Sequence, residues 1–161
     1  MDNELRIYCT NIGEYVDVEG GETLQHVYER IKGRIKIRPI SVMVNNRDKH
    51  LAYPLYGPKH VEFIDRNTIS GRRTYTRSLV MILHKAPKDL FPEERLVVPH
   101  AIGKGYFCTF KHNHSRVDGA TVKALKQRMK EIIAADMPFI RHERPTVEVL
   151  DMFRKQGMND K

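Results

Sequence analysis

Leu5, Ile7 and Cys9 alternate with Arg6, Tyr8 and Thr10, the two-residue period of a strand with one buried face. Asn11-Ile12-Gly13 predicts a turn, and Tyr15 to Val18 a second hairpin strand. Gly20-Gly21-Glu22-Thr23 breaks the alternation and opens a helix. Leu24, Val27, Tyr28 and Ile31 then fall at i, i+3, i+4 and i+7, and Gly33 stands where a C-terminal cap is expected. Ile40, Val42 and Val44 resume the strand period and end at Asn45-Asn46, residues that tolerate left-handed turns. After an irregular stretch carrying Leu51 and Leu55, Val61 and Phe63 give a last strand. Strand, strand, helix, strand, strand within about 65 residues is the element order of a small α+β unit of the β-grasp kind.

Ser70-Gly71-Arg72-Arg73 reads as a hinge, which predicts a first unit over 1–69 and a second over 70–161. Leu79, Leu83, Ala86 and Leu90 mark a helix stripe that Pro87 should kink or end early. Leu96 to Val98 and Tyr106 to Phe110 predict a hairpin across Ala101 to Gly105. In the helix expected from Val122 to Ala135, Val122, Leu125, Met129, Ile132 and Ile133 share one face, opposite Lys123, Lys126 and Lys130. Pro138 closes it, Phe139 to Arg144 is extended, and Pro145-Thr146 starts a last helix through Arg154.

Composition narrows the classes. The 161 residues carry 30% charged side chains and a mean hydropathy of −0.53, no run long enough to cross a bilayer, and an opening unlike a signal peptide. Cys9 and Cys108 are too few for a disulfide framework and show no CxxC spacing, so reduced thiols in the cytoplasm are the simplest expectation. The net charge of +8 is unevenly placed: residues 1–70 hold ten charges of each sign, so the whole excess belongs to 71–161. A basic half of this kind attracts phosphates, or simply solubilises the surface.

Several enzyme signatures are absent. There is no GxxxxGK[ST], GxSxG, HExxH or strand-borne GxGxxG. Gly103-Lys104-Gly105 lacks the glycine spacing and the hydroxyl that a phosphate-binding loop needs. His112-Asn113-His114 has no Cys, Asp or Glu nearby to complete a metal site and reads as a polar turn, so no metal is expected. Arg73, Arg77, His84 and Lys88, with Met81 between, repeat at helical spacing and form a candidate face for a phosphate or carboxylate. Arg30, Lys32, Arg34, Lys36 and Arg38 recur at every second position. Only Arg34, Lys36 and Arg38 lie clear of the helix, and with Lys123, Lys126 and Lys130 they make a candidate basic surface for a nucleic-acid backbone. Stacking aromatics interleaved with these charges are scarce, so a single-strand platform is not indicated.

At Val42-Met43-Val44-Asn45-Asn46, Tyr53-Pro54-Leu55 and Val61-Glu62-Phe63-Ile64-Asp65 the first unit resembles a TGS domain, the β-grasp module of threonyl-tRNA synthetases, some GTPases and stringent-response proteins. Asn46 stands where that family has Gly. Ser70-Gly71-Arg72, Asp89 to Pro92, Gly103 to Phe107, Lys130 to Ile133 and Pro138-Phe139 resemble the editing domain of threonyl-tRNA synthetase. That resemblance places an HxxxH pair at positions 77 and 81, where this chain has Arg77 and Met81. The family's second editing motif would fall beyond Lys161.

Arg73 to Leu79, Leu90-Phe91-Pro92, Lys104-Gly105-Tyr106, Lys126 to Met129 and Phe153 to Lys161 are similar to bacterial uridine-kinase-related nucleoside kinases, which join the same two modules to a P-loop domain. On that resemblance the chain is a non-catalytic N-terminal binding or regulatory module that stops inside its second domain. The downstream kinase domain is its implied partner, and ATP and magnesium belong only there, with no cofactor in this segment. The alternatives are an editing fragment of a threonyl-tRNA synthetase and a tRNA- or RNA-binding module; nucleotide or RNA are the expected ligands, and no membrane is.

Overall fold

A computed structural model describes residues 4–103, 105–111 and 117–158. The elements run β1 (Glu4–Cys9), β2 (Glu14–Glu19), α1 (Leu24–Ile31), β3 (Ser41–Val44), β4 (Arg47–Lys49), β5 (His60–Ile64), α2 (Ile69–Leu90), β6 (Leu96–Ile102), β7 (Gly105–Phe110), α3 (Gly119–Ala134) and α4 (Thr146–Lys155). The architecture is α+β with one mixed sheet, ordered β2-β1-β5-β3-β4, and a separate β6-β7 hairpin. Among the described residues only β1 and β5 are parallel; the other pairs are antiparallel.

The alternation in β1 and β2 pairs Leu5 with Val18 and Ile7 with Val16, so one apolar face forms across both strands. Against it pack Leu24, Val27 and Ile31 from α1, with Val42, Val44, Val61 and Phe63 from β3 and β5. Burying each such side chain contributes roughly 1.5–3 kcal/mol, which outweighs the modest length of the elements. Thr23 caps α1 by accepting from the His26 amide at 3.3 Å. Asn45 and Asn46 both have positive φ, 46° and 61°, the geometry of a tight β3–β4 turn. The parallel β1–β5 ladder is short, and Asn11 lengthens it. Its Nδ2 donates to the Phe63 carbonyl at 3.0 Å, and its Oδ1 accepts from the Phe63 amide at 2.7 Å.

A second cluster gathers Ala86 of α2, Leu96 of β6, Phe110 of β7, and Leu125 and Ile132 of α3, with Ile82, Leu83, Phe91 and Met129 against it. An ion-pair network joins the two helices. Arg128 donates from Nε and Nη2 to Asp89 Oδ2 at 3.1 and 2.8 Å, while Lys85 donates to the other oxygen.

Several expectations need correction. The Ser70 to Arg73 hinge is helical: it forms the first turn of α2, where Thr68 accepts from the Gly71 amide at 3.0 Å. Gly71 is there because no side chain fits; an added Cβ would sit 1.8 Å from the Asp65 carbonyl oxygen. Pro87 does not end α2, because its ring is fully buried and Phe91 closes one further turn by donating to the Pro87 carbonyl at 2.7 Å. Gly33 has no positive φ, and α1 ends on Lys32 in right-handed geometry. Three-residue β4 occupies part of the stretch read as irregular. The hairpin strands reach Ile102 and begin again at Gly105, leaving a shorter turn than expected. Leu90 of α2, and Val122 and Ile133 of α3, are exposed, so each stripe is narrower than its periodicity implied. Helix α4 buries none of its residues. Among the described residues, no helix is long and apolar enough to cross a membrane.

Candidate functional site

Helix α2 runs 22 residues and sets only its Ala86 side into the second cluster. The 4, 4, 3, 4 spacing of Arg73, Arg77, Met81, His84 and Lys88 places all five on exposed positions, with Met81 at 59% of its full accessibility. Arg73, Arg77 and Lys88 make no ion pair among the described residues, so their charge faces water or a ligand. Two cavities stand elsewhere, around α1, and neither is lined by an α2 residue.

The chemistry open to this face is limited by its side chains. A guanidinium stays protonated at any working pH and a thioether has no proton to exchange, so Arg77 and Met81 can neither take a proton from water nor ligate a metal as paired imidazoles would. Among the described residues no group of three His, Cys, Asp or Glu side chains is gathered as a metal site. Burial pushes both thiols above the ordinary cysteine range, which makes Cys9 and Cys108 poor nucleophiles. What the face retains is cationic hydrogen-bond donors suited to phosphate oxygens.

Helix α3 offers Lys123, Lys126 and Lys130 on exposed turns opposite Leu125 and Ile132, as the periodicity predicted. These lysines also lack ion-pair partners among the described residues. Asp118 caps the helix by accepting from the Thr121 amide at 2.7 Å, and that bond holds its carboxyl below the usual range.

The alternating cations after α1 do not form one stripe. Arg30 is bound to Glu22, with Nε on Oε1 at 3.0 Å, and also donates to the Asp17 carbonyl at 2.8 Å. Lys32 pairs with Glu29 at 2.8 Å and Arg34 with Glu14 at 2.6 Å. Arg34 lies in the turn that leaves α1 rather than in an extended run. Lys36 and Arg38 alone remain without an ion pair among the described residues, and both line one cavity. Glu22 and Glu14 lie eight and twenty residues from Arg30 and Arg34, so no local pattern announces those two pairs, whereas Lys32 and Glu29 stand at ordinary i,i+3 helical spacing. His112-Asn113-His114 and Lys104 lie outside the described residues.

No protein-family model matches the chain. It is 30% identical over 136 residues, 84% of its length, to the threonine–tRNA ligase of Desulforamulus reducens, of which the alignment covers 21%. The same enzyme of Syntrophomonas wolfei is 27% identical over 137 residues, 85% of this chain and 21% of the ligase. That of Rubrobacter xylanophilus is 24% identical over 142 residues, 88% of this chain and 22% of the ligase. The chain is therefore related to a region of threonine–tRNA ligases, and it spans about a fifth of the length of these relatives. The nucleoside-kinase expectation finds no support in this comparison.

Proposed function

We propose that this chain is a tRNA-contacting region of a protein related to threonine–tRNA ligases, and that it lacks editing chemistry of its own. The observation that carries this reading is the similarity to those ligases along more than four fifths of the chain. Within it, residues 1–69 are a TGS-like β-grasp unit and 70–161 an editing-domain-like unit. The strand order β2-β1-β5-β3-β4 around a parallel central pair supports the first assignment, and the two separate apolar clusters support the division. Arg77 and Met81 at the places of the editing imidazoles argue against hydrolysis here. Arg73, Arg77 and Lys88 on α2, without an ion pair among the described residues, and Lys123, Lys126 and Lys130 on α3 supply the phosphate contacts. The setting is cytoplasmic, where tRNA is found.

Salt dependence tests the reading. Each phosphate neutralised releases counterions, so log affinity for tRNA should fall with log salt at a slope of roughly −2 to −5 for three to five contacts. Replacing Lys123, Lys126 and Lys130 by Glu should weaken binding and flatten that slope. A flat response in the unaltered chain would remove the phosphate-contact explanation.

A second reading, the accessory module of a uridine-kinase-like protein, rests on the stretch Arg73-Thr74-Tyr75-Thr76-Arg77-Ser78-Leu79. On that reading a P-loop domain elsewhere in the protein holds ATP and magnesium. A GxxxxGK[ST] in the same open reading frame would favour it; class II synthetase motifs would exclude it.

A further inference from the structure

We propose that the cavity between the end of α1 and the segment leading to β3 binds a small organic phosphate, with Lys36 and Arg38 on the phosphate and an apolar wall against the body it carries. This goes beyond the tRNA reading and does not depend on it, since it uses neither α2 nor α3.

The cavity measures about 700 Å³, within the range of small-molecule sites, and is shared by Tyr28, Lys32, Lys36, Ile37, Arg38 and Leu51. Its charge is set by elimination. Of the five alternating cations from Arg30 to Arg38, three are held by Glu22, Glu29 and Glu14. Lys36 and Arg38 are the two left over, and both are exposed at the rim. Glu29, the acidic side chain of the cavity, is held by Lys32 and Gln25, and these bonds keep its carboxyl below the usual range. Among the described residues the cavity therefore carries two uncompensated positive charges.

Two cations of different shape suit a phosphate monoester. The arginine fork can grip two of its oxygens while the lysine ammonium meets a third as a point charge. A carboxylate offers one charge and two oxygens, and would leave one cation unused. Ile35, Ile37, Pro39 and Leu51 add apolar surface to the same lining. The Tyr28 hydroxyl is engaged, donating to the Ile37 carbonyl at 3.1 Å, so the ring presents carbon rather than a donor. That same bond, with the Tyr28–Phe63 ring contact at 5.5 Å, fixes the segment carrying Lys36 and Arg38 against the first core. The ligand site is thereby held in shape before anything binds.

The test is titration of the full 161-residue chain with adenosine 5′-monophosphate, adenosine and inorganic phosphate, followed by backbone amide NMR. The monophosphate should move the amides of residues 35–38 and bind at least tenfold more tightly than either fragment. Lys36→Gln with Arg38→Gln should weaken it tenfold or more while leaving the amide spectrum of β1–β5 in place. The single change Lys36→Gln should give an intermediate loss, which guards against a folding defect in the double variant. Equal binding of adenosine and its monophosphate would overturn the proposal, as would undiminished binding by the double variant or shifts confined to α2 and α3. A short single-stranded RNA that outcompetes the monophosphate at the same amides would overturn it too, and would make the cavity part of a polynucleotide track.

Discussion

Gly71 and Asn11 show how single residues set the frame from which the candidate faces project. A methyl at position 71 has no room beside the Asp65 carbonyl, so Gly71→Ala must push the start of α2 away from the end of β5. The expected loss is about 3 kcal/mol of stability, read from chemical denaturation. Asn11 pairs with both backbone groups of Phe63 and so substitutes for a missing strand residue. Asn11→Ala leaves a donor and an acceptor without partners and should cost about 1–3 kcal/mol in the same assay. Neither role was legible in the sequence. Ser70-Gly71-Arg72 looks like a flexible joint because glycine marks both freedom and close approach, and only the Asp65 oxygen distinguishes them. Asn11 looks like a turn residue because Phe63 lies 52 positions away.

At the scale of elements, legibility followed the strength of the apolar period. Strands β1, β2 and β3 and helix α1 were read correctly because Ile7, Val16, Val27 and Val42 sit on one buried face without interruption. Three-residue β4 is too short to carry a period. Helix α2 outlasts Pro87 because burial of the ring offsets the backbone bond the proline cannot make. The α2–α3 contact depends on Asp89, whose carboxyl is held below the usual range first by the Lys85 hydrogen bond and then by Arg128. In the unfolded chain that carboxyl returns to about 4, so the network's contribution is complete above that pH and is lost as pH falls through the lower folded value. Thermal melts should therefore fall on acidification below about pH 4. Asp89→Asn should melt lower at pH 7 and show a shallower acid dependence; an unchanged acid slope would remove Asp89 from the coupling.

Across the whole molecule, the charge step at residue 71 is the sequence feature from which the proposed phosphate contacts start. In the first seventy residues Arg6, Arg30, Lys32 and Arg34 are neutralised by ion pairs, whereas α2 and α3 leave Arg73, Arg77, Lys123 and Lys126 open to solvent. The candidate residues were legible because helical spacing fixes which side chains share a face. The neutralisation of Arg30 and Arg34 was not, because Glu22 and Glu14 are brought to them by the fold. On the proposed reading, similarity to threonine–tRNA ligases gives the exposed cations tRNA as their ligand, and Arg77 and Met81 would separate binding from hydrolysis. The most direct measurement is single-turnover deacylation of serine-mischarged threonine tRNA with the chain at saturating concentration. Bound tRNA should lose its serine no faster than in buffer. Acceleration over buffer that disappears in His84→Ala would contradict this reading.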